Sequence, residues 1–139
     1  MRSLIKILGT FAICVVMGQG MAATADAATV YTDDKPAVMV ESSHPTFSIK
    51  LKSNATTGYA WYLRDYNSNL IVPVKQVYTP PEDTKIAGAA GFEIWTFRVK
   101  PEGFLVPQQA MIHLVYARSW EVEIQPTDIV FQVTMKSKS

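Results

Sequence analysis

The chain has 139 residues, 48% of them hydrophobic and 18% charged, with a formal net charge of +1; these are the size and composition of one globular domain. No basic stripe or acidic tail runs along it, which argues against nucleic acid or an anionic membrane as partner. The one cysteine, Cys14, falls in the leader described next, so the rest of the chain has no disulfide, no thiolate metal site and no cysteine nucleophile.

The first 27 residues read as a signal peptide. Arg2 and Lys6 give a positive start, LGTFAICVVMG an apolar stretch, and both Ala23-Thr24-Ala25 and Ala25-Asp26-Ala27 fit a small-residue cleavage site. The apolar stretch is shorter than the roughly 20 residues that span a bilayer. Ile13, not a small residue, precedes Cys14, so a lipid anchor is not expected. The expectation is an exported protein, periplasmic or secreted, with no membrane attachment after cleavage. Of the 13 basic and 12 acidic residues, Arg2, Lys6 and Asp26 fall in this leader, so 28–139 is charge-balanced. That stretch, about 110 residues, is long enough to stand on an apolar core alone.

From there the pattern alternates with a period of two. Strands are expected near 36–42, 45–51, 59–64, 70–78, 92–99, 109–117 and 128–136, with another near 28–32. Phe47, Ile49 and Leu51 share one face, as do Trp95, Phe97 and Val99, then Ile112, Leu114 and Tyr116, then Ile129, Phe131, Val133 and Met135. Such runs, bounded by Pro, Gly, Asn and Asp, are half-buried strands. No segment reads as a helix, and seven or eight short strands point to an all-β sandwich or small barrel. Pro73 marks its strand as an edge or a bulge. Trp61, between Tyr59 and Leu63, reads as core on a central strand, with Tyr59 at the loop margin. If successive strands run up and down, the loops 52–58, 79–91 and 118–127 emerge at one end, and 65–69 and 100–108 at the other.

Catalytic constellations are missing. His44 and His113 are far apart, no serine sits in a G-x-S-x-G turn, and Glu121 with Glu123 reads as one face of a strand. The chain is therefore not expected to be an enzyme, and no metal or cofactor is expected. Asn54-Ala55-Thr56 fits a glycosylation acceptor, though Asn, Thr and Gly are also ordinary turn formers. Gly88-Ala89-Ala90-Gly91 strips side-chain bulk from a loop, either for close backbone approach or as a plain surface loop. Arg118-Ser119-Trp120 puts a cation and a large aromatic at a strand end; Trp120 fits an interface anchor or a core plug equally well.

Taken in order, three segments resemble the chagasin family of cysteine protease inhibitors. The family's first loop reads N-P-T-T-G-[YF]-x-W, and Asn54-Ala55-Thr56-Thr57-Gly58-Tyr59-Ala60-Trp61 matches it except at the proline. Its second is G-x-G-G, here Gly88-Ala89-Ala90-Gly91, and its third is R-P-[WF], here Arg118-Ser119-Trp120. The similarity spans about residue 30 to the end. It implies an immunoglobulin-like β-sandwich that inhibits papain-like cysteine proteases, papain and cathepsin L types among them, reversibly and competitively; a monomer is expected. It also implies that the Thr56-Thr57-Gly58 loop enters the cleft and that Asn54, Tyr59, Gly88, Ala89, Ala90, Gly91, Arg118 and Trp120 bind around it, Tyr59 and Trp120 suited to the cleft walls and Arg118 to an acidic group on the enzyme. The alternative reading is an exported immunoglobulin-like module that binds a glycan or an envelope protein through the same loops.

Overall fold

A computed structural model describes residues 28–121 and 126–137; the expected signal peptide, Cys14 and Glu123 lie outside them. The eight strands are β1 (Thr29–Thr32), β2 (Ala37–Val40), β3 (Thr46–Ser53), β4 (Tyr59–Tyr66), β5 (Ile71–Thr79), β6 (Gly91–Val99), β7 (Gln108–Arg118) and β8 (Thr127–Met135). The alternation seen in the sequence is what sorts their side chains, since successive residues of a strand point to opposite faces. Two four-stranded sheets result, ordered β1-β3-β6-β5 and β2-β8-β7-β4. The first sheet, together with β4, β7 and β8 of the second, follows the immunoglobulin arrangement of one four-stranded and one three-stranded layer; β2 is added beside β8. Both outer strands at the amino-terminal side pair in parallel, β1 with β3 and β2 with β8, and the remaining pairs are antiparallel.

The inner faces meet in one core. Phe47, Ile49, Leu51, Ile71, Phe97 and Val99 come from the first sheet, and Val38, Ile112, Leu114, Phe131, Val133 and Met135 from the second. Phe47 stacks on Phe97 at 5.7 Å between ring centroids. With no disulfide, this apolar burial is the main source of stability.

Every strand reverses the direction of the one before, so the parity expected of the loops holds. Ser53 lies opposite Gly91 and Thr79 opposite Phe92, while Tyr59 lies opposite Arg118. The ends of β3, β5 and β7 are therefore at one pole. At the other pole the Lys100 amide donates to the Leu70 carbonyl at 2.8 Å.

Three expectations need correction. β4 is an edge strand of its sheet, not a central one; Trp61 is nonetheless buried because it points inward. Glu121 lies beyond β7 in a turn, where its carboxylate faces Arg118, so it is not part of a strand. Two short 3-10 turns, Ala55–Thr57 and Pro101–Phe104, stand where only loops were expected. Pro73 meets both of its readings: β5 is an edge strand, and its register slips between Pro73 and Lys75.

Candidate functional site

The first loop is a single 3-10 turn closed by its own polar groups. The Thr57 amide donates to the Asn54 carbonyl at 3.2 Å and the Gly58 amide to the Ala55 carbonyl at 3.1 Å. Thr57 Oγ1 also donates to the Asn54 carbonyl, at 2.7 Å, and Thr56 Oγ1 to Asn54 Oδ1, at 2.6 Å. The turn exits through Gly58 at φ +80°, the left-handed region that a side chain disfavours. Ala55, Thr56 and Thr57 are exposed at the tip.

Beneath the turn, a ladder of rings carries the loop into the core. The guanidinium of Arg118 lies 4.5 Å from the ring centre of Tyr59. Tyr59 stacks on Tyr116 at 5.1 Å, and Tyr116 lies tilted against Trp61 at 5.0 Å. The Tyr116 hydroxyl oxygen accepts the Asn54 amide hydrogen at 2.8 Å, fixing the start of the turn. Trp61 Nε1 donates to the Lys52 carbonyl at 2.8 Å, tying β4 to β3.

A buried carboxylate completes the base. Glu93 is 2% exposed. Its Oε1 accepts the Ser53 hydroxyl at 2.6 Å and the Trp61 amide at 3.1 Å, and its Oε2 accepts the Gln76 side-chain amide at 2.9 Å. Sequence reasoning passed over Glu93, although it falls in phase with Trp95, Phe97 and Val99; a carboxylate in the apolar phase of a strand was the available clue. Ser53, Gln76 and Tyr116 gave no comparable sign.

The third segment closes over the first. Arg118 Nε donates to the Thr57 carbonyl at 2.9 Å, while its Nη1 contacts both carboxylate oxygens of Glu121 at 3.0 and 3.2 Å. Trp120 is 67% exposed, which removes the core-plug reading. Its ring covers the backbone of Gly58 so closely that a methyl group there would come within 2.1 Å of it. The structure thus brings Asn54, Thr56, Thr57, Gly58, Tyr59, Arg118 and Trp120 into one contiguous unit.

The second segment shares the pole but stands apart. Gly88 takes φ +80° with open space around it. The Ala89 amide donates to the Ile86 carbonyl at 3.3 Å. Ala90 has an ordinary negative φ, so alanine costs nothing there. Gly91 is already strand: it is buried, and a methyl group on it would lie 2.3 Å from the Thr79 carbonyl oxygen. Among the described residues, no backbone hydrogen bond joins 80–90 to the other two loops.

His113 pairs with Asp128 at 2.9 Å across β7 and β8, out of phase with the inward-facing Ile112 and Leu114 and outside the unit built by the first and third loops. Among the described residues no group of three or more His, Cys, Asp or Glu is placed to hold a metal.

Gly58 is where shape and strain coincide. Gly58→Ala is expected to lower stability by about 1–2 kcal/mol for the left-handed backbone, and to displace the Trp120 ring. Chemical denaturation reads the first effect and a shift of the Trp120 indole N–H resonance the second.

A family model described as chagasin family peptidase inhibitor I42 matches residues 42–135. Chagasin of Trypanosoma cruzi is 36% identical over 76 residues, a stretch that covers 52% of this chain and 64% of that protein. The crystal structure of the cysteine protease inhibitor EhICP2 from Entamoeba histolytica superposes with a TM-score of 0.59 at 17% identity, covering 78% of this chain and 95% of that one. A structure of PbICP-C in complex with falcipain-2 gives a TM-score of 0.50 at 16% identity, covering 78% of this chain and 91% of that one. At such identities the two structures carry the fold. The family model carries more: it takes in all three loops and runs from the approach to β3 through the end of β8, and on that ground the chain belongs to the chagasin family of peptidase inhibitors.

Proposed function

We propose that the chain is a reversible, competitive inhibitor of papain-like cysteine proteases, with the Asn54–Gly58 turn plugging the active-site cleft. The Gly88–Gly91 and Arg118–Trp120 segments brace the walls on either side. The observation that carries this reading is that the first and third loops are already joined in the free chain, through the Arg118–Thr57 hydrogen bond and the Trp120 ring over Gly58. Association then orders few side chains, and a preorganised surface binds more tightly for the same contacts. Thr56 and Thr57 are stiff at χ1 and have their hydroxyls turned back on Asn54. The exposed Trp120 ring offers apolar contact area of the kind that anchors interfaces. Arg118 is engaged with Thr57, Tyr59 and Glu121, so its part is to hold the wedge rather than to reach for an acid on the enzyme. That the related PbICP-C is seen with falcipain-2 supports a protease as the partner class. A leader over 1–27 would place the activity in the periplasm or outside the cell, with the chain acting as a monomer.

The purified protein should inhibit papain and a cathepsin L-type protease competitively in a fluorogenic peptide assay. Thr57→Glu places a charge at the tip and is expected to weaken inhibition by about thirtyfold or more, the loss of one hot spot. Absence of inhibition at micromolar concentration of folded protein would overturn the reading.

Two positions should tolerate proline with a gain. Ala55 is the first residue of the 3-10 turn and follows Asn54 at φ −108° and ψ 86°, a non-helical backbone that suits the residue before a proline. Ser119 is the second residue of a turn in which the Glu121 amide donates to the Arg118 carbonyl at 3.3 Å, a place proline favours. Ala55→Pro and Ser119→Pro are each expected to stabilise the fold by about 0.4–1 kcal/mol and to tighten inhibition by up to about fivefold. Ala90→Gly should bring no gain, because its backbone needs no positive φ. Denaturation midpoints and inhibition constants of the three variants check the pattern.

A further inference from the structure

At the pole opposite the loops, where β6 ends and the Pro101–Phe104 turn begins, lies a cavity of about 590 Å³, a volume ordinary for a small-molecule site. Its walls are Pro45, Val99, Pro101, Phe104 and Leu105, with the polar Ser42, two cations, Arg98 and Lys100, and no acid in the lining. The walls are fixed by the backbone. The Val99 amide donates to the Pro45 carbonyl at 2.8 Å and the Gly103 amide to the Lys100 carbonyl at 2.9 Å. Gln108 Nε2 donates to the Glu102 and Gly103 carbonyls, both at 3.1 Å. The turn itself seats so tightly that a methyl group on Gly103 would come within 2.5 Å of Val99 Cγ1.

The two cations are not equivalent. Lys100 Nζ donates to the Ser68 carbonyl at 2.9 Å. Arg98 is exposed and has no hydrogen-bond or ion-pair partner among the described residues. At the lip Leu105 is 77% exposed, and the adjoining Val106 is 57% exposed. A fixed apolar hollow with one uncommitted guanidinium and an apolar lip is complementary to a molecule that is apolar along its length and anionic at one end.

We propose that this cavity is a second binding site, taking an amphipathic anion with its apolar chain against Pro45, Pro101 and Leu105 and its acidic head on Arg98. A free fatty acid and an anionic membrane lipid share that chemistry. The site does not compete with the wedge: β6 runs from Gly91 at the loop pole to Val99 here, a distance of about 27 Å at strand rise. Both poles can be occupied together, with the loops facing away from whatever holds the other end.

Calorimetric titration of the protein with dodecanoate, below micelle formation, tests the site. Saturable one-to-one binding is expected, weakened about tenfold or more by Arg98→Gln, the scale of one lost charge-assisted contact, and by Leu105→Asp, which places a charge on the exposed lip without disturbing the core. Papain inhibition by both variants should match the parent, so failure here is separable from failure of the inhibitor reading. Cosedimentation with phosphatidylcholine vesicles, with and without phosphatidylglycerol, identifies the source. Arg98-dependent binding to the anionic vesicles assigns the site to a lipid surface, and dodecanoate binding without it assigns the site to a free amphiphile. Absence of dodecanoate binding at millimolar concentration, binding that neither substitution changes, or equal binding of dodecanol would overturn the proposal.

Discussion

The carboxylate of Glu93 sits between the two sheets with neutral donors around it: a hydroxyl from β3, a backbone amide from β4 and a side-chain amide from β5. Burying a charge costs several kcal/mol unless its lone pairs are met by donors, and here three donors from three strands converge on it. One of them, the Trp61 amide, belongs to an edge strand and points away from its own sheet, so without Glu93 it would be a buried donor with no ladder partner. The side chain therefore does what an apolar residue in its place could not: it fixes how β4 approaches the first sheet at the height where the chain crosses from β3 to β4. Everything that the loop pole presents is built on that crossing.

From this base the order propagates outward by ring contacts and hydrogen bonds. Trp61, Tyr116, Tyr59 and Arg118 form one ladder from the core to the surface. At the top of it, Tyr116 holds the start of the turn through the Asn54 amide and Arg118 holds its end through the Thr57 carbonyl. The exposed ion pair between Arg118 and Glu121 contributes little stability by itself, but it orients the guanidinium that reaches Thr57. Among the described residues no backbone hydrogen bond ties the 80–90 loop to the other two, and its left-handed glycine, Gly88, stands in open space. Two loops of the wedge are thus tied to each other by the fold, while the third is positioned by where β5 and β6 end.

Much of this was legible in the sequence because period two is a strong sign in strands buried on one face. The runs around Phe47, Phe97, Leu114 and Phe131 placed the strands to within a few residues, and counting reversals grouped the three loops without any structure. The same period was silent on which strand lies at an edge, since inward-facing residues look alike in a central and an edge strand; Trp61 is buried by its direction, not by its strand's place in the sheet. Trp120 could not be placed because its partner is the bare backbone of Gly58, and a missing side chain leaves no mark of what covers it. Tyr116 read as one more inward aromatic, and its hydroxyl contact with Asn54 spans 62 positions along the chain, beyond the reach of local pattern.

A preorganised wedge requires that the first loop have its binding shape before a protease arrives. Nuclear relaxation of the Thr57 and Gly58 amides, measured in the free protein and again in its complex with papain, tests this directly. Both amides should be as ordered in the free state as in the strands beside them, with order parameters near the rigid-backbone value of about 0.85, and should change little on binding. Values below about 0.6 in the free protein, rising only in the complex, would mean that the loop is shaped by the enzyme and not by the network that runs from Glu93 to Arg118.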